Sequence, residues 1–368
     1  MKIFIDAHMI GQNETGNETF IMNLLNGLQQ IPNSHEYFVG AENTELVQSR
    51  LQLDDRFKVM PIESNPLKRL FYTIPKLAAS NGIDIVVVTY AGPVFIRKKM
   101  VCIVHDVIYK KYPGWFSPRD RIVLNLGVGI TIRRADLVVT VSENSRKDIL
   151  HYYAIPDEKI AVVPEAAGQI FYKVDRETVQ SVCRRFNISG PYLLCVGNLQ
   201  PRKNLMRIIR AFSEVINKDR YRHLKLVVAG KAQWRESDIY HLVTSLGIKQ
   251  NIIFTDYVSD SELVALYSGA RLFLYPSLYE GFGLPPLEAM SCGVPVLTSN
   301  NSSIPEVVGD AAHLIDPTCV KQISDGILKI LSDRAYSETL IRRGKAQAKK
   351  YSWSLTAKQF LNSMEALS

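Results

Sequence analysis

Glu280 and Glu288 bracket a short turn in the run Glu280-Gly281-Phe282-Gly283-Leu284-Pro285-Pro286-Leu287-Glu288, with seven residues between the two carboxylates. The apolar residues Leu272 to Tyr275 ahead of the turn read as a buried parallel strand. Pro285 and Pro286 supply a pre-set helical φ at a first helical turn, where no amide partner is needed. The glycines therefore fall between strand and helix. Gly281 and Gly283 let the backbone approach a ligand closely, and the amides opening the helix point the same way, so the turn can receive an anion. A carboxylate repels a phosphate, so Glu280 and Glu288 suit neutral hydroxyls on either side of it, those of a sugar at one end and of a ribose at the other. Together these groups describe a nucleotide sugar. The plainer alternative is a tight turn with Glu288 solvated on its helix.

A second constellation lies in Cys195-Val196-Gly197-Asn198-Leu199-Gln200-Pro201-Arg202-Lys203-Asn204-Leu205. Arg202 and Lys203 sit where a helix begins, an unfavourable place for cations unless an anion is there too. A diphosphate supplies that anion, met by a planar guanidinium fork and an ammonium point charge. His105-Asp106 closes the apolar run from Met100 to Val104, which places the imidazole at the carboxyl end of a strand.

The first stretch, continuing without a gap through Ala289-Met290 to Gly293-Val294-Pro295-Val296, resembles the Glu-x7-Glu motif of retaining glycosyltransferases of family 4. The second is similar to that family's Gly-x-Leu-x-x-Arg-Lys-Asn pattern. The resemblance implies the GT-B architecture, in which two facing doubly wound Rossmann-like domains form an α/β structure with an interdomain cleft. It also implies that His105 lies near the transferred sugar and that Gly16 touches donor phosphate or acceptor, although Glu18 stands where the family usually has a second glycine. Gly197 and Lys231, in turns after strands, lie near the donor by the same resemblance. The same resemblance implies that the backbone around Tyr257-Val258 holds the base and that Gly281, Phe282, Gly283 and Leu284 complete the donor site. In Thr140-Val141-Ser142, Ser142 reads as a helix cap.

Short apolar segments alternate with helical patterns along the whole chain of 368 residues, which predicts parallel sheets in α/β layers. Strands are expected at 3–6, 37–39, 58–61, 85–89, 101–105, 137–141 and 160–163, and again at 192–196, 224–229, 252–254, 272–275, 295–298 and 312–315. Pro164-Glu165-Ala166-Ala167-Gly168 reads as a hinge. The resemblance implies that a C-terminal helix at 352–368 returns to the first domain, so the expected division is residues 1–168 with that helix on the acceptor side, and 169–351 for the nucleotide sugar. Ligands of such sheets bind outside the carboxyl ends of the strands.

Hydrophobic residues make up 46% and charged residues 22%, an ordinary soluble composition without low-complexity tracts. Lys2-Ile3-Phe4-Ile5 enters a strand directly, and no apolar run reaches the length of a membrane span, so a cytoplasmic protein is expected. The five cysteines form no Cys-x-x-Cys pair and read as reduced core residues. No Asp-x-Asp pair is present, so no metal is expected, and no cofactor beyond the donor. Residues 64–134 carry twelve Lys or Arg against three acids, interleaved with aromatic and aliphatic residues as in Pro66-Leu67-Lys68-Arg69-Leu70-Phe71-Tyr72. An anionic membrane surface or a lipid-linked acceptor is a natural partner for such a segment, as an ordinary solvated face is its plain alternative. Nucleic acid is not expected, since no reading module appears.

The expected activity is metal-independent, retaining transfer of a hexose from a nucleoside-diphosphate sugar to a saccharide or lipid-linked acceptor. UDP-glucose or a similar UDP-hexose leads, with GDP-mannose close behind. Arg202 and Lys203 stabilise the departing diphosphate, and Glu280 positions sugar hydroxyls. A nucleotide-sugar epimerase and a non-catalytic sugar-nucleotide sensor are the alternatives. A nicotinamide enzyme is disfavoured, because Gly281-Phe282-Gly283 continues to Pro286 where the dinucleotide fingerprint needs its third glycine.

Overall fold

The computed structural model describes residues 1–12, 15–198, 200–230 and 236–367. It divides into two units, Met1–Glu165 with Ser352–Ser368, and Ala166–Tyr351.

The first unit is built on β1 (Lys2–Asp6), β2 (Glu36–Ala41), β3 (Phe57–Pro61), β4 (Ile85–Thr89), β5 (Lys99–Ile103), β6 (Leu137–Thr140) and β7 (Ile160–Val162). They form one parallel sheet in the order β3-β2-β1-β4-β5-β6-β7. Its central strands are continuous apolar runs because helices cover both faces: Ile3, Phe4 and Ile5 of β1 and Val86 to Val88 of β4 are all buried. The chain's last helix, Trp353–Glu365, packs on the helix Thr15–Gln29, whose Phe20, Leu24, Leu25 and Leu28 are buried. The two helices approach so closely at Gly27 that a Cβ there would lie 2.7 Å from the Trp353 carbonyl oxygen. Thr356 adds a hydrogen bond from its hydroxyl to the Pro164 carbonyl, at 2.6 Å.

The second unit holds β8 (Tyr192–Val196), β9 (Lys225–Ala229), β10 (Ile252–Asp256), β11 (Leu272–Tyr275), β12 (Val296–Ser299) and β13 (His313–Ile315), again parallel, in the order β10-β9-β8-β11-β12-β13. Strand order reverses between β8 and β11, which pair Leu193 with Leu272 and Leu194 with Phe273. The loops leaving these two strands therefore diverge over a shared crevice, where doubly wound sheets take ligands. Each sheet is sealed by its own core, around Phe4, Val86 and Ile132 in one unit and Ile208, Phe212 and Leu274 in the other.

Every predicted strand is present, with shifts at the ends. β5 stops at Ile103 rather than at residue 105, although the Val104 amide still reaches the Val139 carbonyl at 2.8 Å. β10 runs on to Asp256, where the register with β9 shifts and the backbone turns left-handed at φ 56°. Among the described residues no helix is long and apolar enough to cross a membrane.

Candidate active site

The loop after β8 is shaped by backbone crowding. Gly197 and Gly230 follow β8 and β9 with φ of 134° and 142°, and a Cβ on Gly230 would lie 2.3 Å from the Gly197 carbonyl oxygen. Only glycine fits there. The chain then makes a short turn at Pro201–Lys203 and enters the helix Leu205–Ile216 through Asn204, left-handed at φ 62°. The buried Asn204 amide donates to the carbonyls of Pro276 at 2.9 Å and Pro317 at 2.6 Å. It thereby ties the cation-bearing turn to the exits of β11 and β13.

Arg202 and Lys203 converge on Glu280. The Lys203 ammonium donates to Glu280 Oε1 at 2.8 Å and to the Tyr275 hydroxyl at 2.5 Å, and Arg202 Nη1 donates to Glu280 Oε2. Glu280 is 5% exposed. Burial pushes its carboxyl up, but the charges of Arg202 and Lys203 outweigh that and hold it at about 2. Burial, with Arg202 beside it, drops Lys203 to about 8 despite the Glu280 charge. The anion that the cation pair required is therefore present as a carboxylate of the same chain. The cluster keeps one net positive charge at the strand exits, beside the amides of Gly281 to Leu284 that open the helix Leu284–Ser291.

Glu288, on that helix, is half-buried and accepts from the buried Tyr267 hydroxyl at 3.0 Å. Burial and the Glu288 charge push that phenol well above its ordinary value. Phe282 is buried against Tyr351, ring centroids 5.7 Å apart. Tyr257 is exposed and Val258 half-buried in the segment after β10. Lys231 lies outside the described residues.

In the first unit His105 follows β5 and is 8% exposed. Its Nδ1 meets Glu165 Oε1 at 3.0 Å, and the Phe20 ring stands edge-on at 4.7 Å. Its Nε2 is buried and has no hydrogen-bond partner among the described residues. Gly16 is exposed in the first turn of its helix. Glu18 accepts from the Gly11 amide at 3.0 Å and from Arg50 at 2.6 Å, so the residue in place of a family glycine stitches its own loop. Ser142 caps the helix Glu143–Tyr153 by accepting from the Ser145 amide at 3.0 Å.

The structure thus joins Gly197, Arg202, Lys203 and Glu280 in one cluster, while Glu288, Tyr257 and Val258 have other neighbours. Four participants escape the sequence reading: Tyr275, Asn204, Tyr267 and Glu165. Asn204 stood within the quoted motif, and Glu165 was a lone acid inside a Pro-Ala-Ala-Gly stretch, a signal for a buried carboxylate seeking a partner.

This fold is that of a glycosyltransferase of GT-B architecture. Residues 184–347 match the model for glycosyl transferases group 1 and residues 15–166 that for glycosyltransferase family 4, and the chain belongs to family 4. Its similarity to the O-antigen chain mannosyltransferase B of Escherichia coli is 35% identity, over 76% of this chain and 74% of that one. The serotype-specific mannosyltransferase WbdA of Escherichia coli is 33% identical over 70% of this chain, which spans only 32% of WbdA. Among solved structures, sucrose-phosphate synthase from Thermosynechococcus elongatus superposes with a TM-score of 0.79 at 18% identity, covering 100% of this chain and 99% of that one. Anabaena HepE, in complex with UDP and glucose, gives 0.78 at 17%, with both chains fully covered. Those two likenesses are of fold.

Proposed function

We propose that the protein transfers a hexose from a nucleoside-diphosphate sugar, with retention and without a metal, to a saccharide or lipid-linked acceptor at a membrane surface. The observation carrying this reading is the Arg202-Lys203-Glu280 cluster at the exits of β8 and β11. An arriving diphosphate takes up the two cations, and Glu280, released from them, accepts hydrogen bonds from sugar hydroxyls. The bond from the anomeric carbon to the diphosphate oxygen breaks, its electron pair staying on that oxygen beside Arg202 and Lys203. The acceptor hydroxyl attacks from the same face and gives its proton to the departing phosphate. The Gly197 turn and the Gly281 to Leu284 amides receive phosphate oxygens, Glu288 the ribose, and the Tyr257-Val258 backbone the base. Lys231 and Gly16 belong to the donor-facing loops. His105 Nε2 makes a hydrogen bond to a hydroxyl of the transferred sugar.

Mannose is the favoured sugar and GDP-mannose the favoured donor. The relatives that are 33–35% identical are named mannosyltransferases, whereas the UDP-bound structure is only 17% identical. UDP-glucose stands second. The test is incubation with GDP-mannose and with UDP-glucose, each radiolabelled in the sugar, with and without EDTA. Release of GDP together with free or transferred mannose, unchanged by EDTA, is expected. Recovery of an isomerised but intact nucleotide sugar points to an epimerase, and tight binding without turnover to a sensor; either refutes transfer.

A further inference from the structure

The helix Pro118–Arg134 faces solvent with an inverted pattern. An outward helix face is ordinarily charged along its length. Here Ile122, Val123 and Leu126 are each 61% exposed and Ile130 is 43% exposed, while the same helix buries Val128, Thr131 and Ile132. At 3.6 residues per turn the exposed four share one stripe, with Arg119 and Arg121 at one end and Arg134 at the other. Gly127 and Thr131 rest the helix on the loop after β4: Gly127 lies against Ala91, and the Gly92 amide donates to the Thr131 hydroxyl at 2.9 Å. That loop runs on to Phe95, 78% exposed, whose ring meets the exposed Phe71 at 6.3 Å. One loop thus joins two exposed apolar patches.

We propose that this face docks the first unit on an anionic lipid bilayer, with the Ile122-Leu126-Ile130 stripe and the Phe71-Phe95 pair sunk among the headgroups. The inference deepens the membrane part of the reading above and does not depend on the transfer chemistry. Apolar side chains framed by cations are what an interfacial helix presents: the aliphatic groups leave water and the guanidinium groups reach lipid phosphates. The cations are available for this. Among the described residues no carboxylate pairs with Lys68, Arg97, Lys98, Arg119, Arg121 or Arg134, whereas Lys111 and Arg146 nearby are paired with Asp148 and with Glu143 and Asp157. A second copy of the chain fits the face poorly. Antiparallel stripes would set Arg119 and Arg121 of one copy against Arg134 of the other, and like charges oppose each other.

The test is sedimentation with phosphatidylglycerol or phosphatidylcholine vesicles, comparing wild type, Leu126→Asp/Ile130→Asp and Arg119→Gln/Arg121→Gln, with melting curves and release of nucleoside diphosphate from soluble donor as separate readouts. Wild type should bind phosphatidylglycerol vesicles much more tightly than phosphatidylcholine vesicles, which only the apolar part can hold. The aspartate pair should weaken binding at least about tenfold, since each inserted aliphatic group contributes, and each lost arginine about fivefold. High salt should weaken wild-type binding without abolishing it, because the apolar part is not screened. Because the substituted side chains are exposed, melting and donor turnover should match wild type in both variants; loss of donor turnover in wild type itself strikes the transferase reading alone. The proposal fails if wild type ignores phosphatidylglycerol vesicles, if the aspartate pair binds them as wild type does, or if the face instead supports a dimer that Leu126→Asp dissolves.

Discussion

Lys203 holds an ammonium group where burial and the Arg202 guanidinium oppose its charge and Glu280 is the main group that favours it, which brings it to about 8. Leaving-group stabilisation needs the charged form. In the free enzyme kcat/KM should therefore fall as pH rises through about 8, and Lys203→Arg should move that limb well upward while retaining part of the activity. A bound diphosphate favours the charge, so the limb in kcat should lie higher than that in kcat/KM. Equal limbs in wild type and Lys203→Arg would remove Lys203 from the mechanism. The stability signs follow from the same shifts. Lys203 titrates below its ordinary 10.5, so its contribution to stability grows as pH rises from about 8 to that value; Glu280 is held near 2, so its contribution is present above about 4.5 and lost as pH falls toward 2. Glu280→Gln leaves two neighbouring cations without their buried anion and should destabilise the protein by about 3 kcal/mol or more. A nucleoside diphosphate restores the missing charge, so it should raise the melting temperature of Glu280→Gln by more than that of wild type; a smaller shift than in wild type would show that the diphosphate does not meet these cations. The sequence marks Arg202, Lys203 and Glu280 as chemistry-bearing, yet assigns them separate ligand groups. That they neutralise one another was not legible, because Lys203 and Glu280 stand 77 positions apart along the chain and only sheet order makes them neighbours.

Strand order is also where legibility ends at the scale of elements. Runs such as Tyr192 to Val196 and Leu272 to Tyr275 announce themselves because both faces of a parallel sheet are covered, so apolar residues follow one another without alternation. Nothing within either run says that β8 and β11 pair. The turns that follow are legible only as glycines. The crossing of the Gly197 and Gly230 loops at 2.3 Å from a would-be Cβ is a contact between segments. Gly230→Ala should destabilise the protein by more than about 3 kcal/mol, through a positive φ and a backbone collision that no rotamer relieves; equilibrium urea unfolding measures it, and a loss under about 1 kcal/mol would show that the two turns can part. His105 illustrates the same limit. Its place after a strand was readable, whereas its carboxylate partner Glu165 stood in a segment read only as a hinge, because a buried hydrogen-bond partner leaves no periodic trace.

At the scale of the whole molecule, the first unit is assembled from both ends of the chain, with the helix Trp353–Glu365 packed on the helix Thr15–Gln29. Deleting residues from 353 onward uncovers Phe20 and the helix surface at Gly27, so the truncated protein should lose protease resistance in residues 1–165 while 166–351 keeps its own. Uniform resistance across both units would show that the last helix is dispensable. The same connectivity sets an order of events during synthesis. The strands of the first sheet leave the ribosome early, yet the helix that packs on Thr15–Gln29 follows about 190 residues later, after the second unit. At roughly 5–20 residues per second the greasy side of Thr15–Gln29 stays bare for about ten to forty seconds. The second unit, continuous in sequence, can finish first. The nascent chain is then a folded later half tethered to an incomplete earlier one, the species that a holdase chaperone is suited to shield.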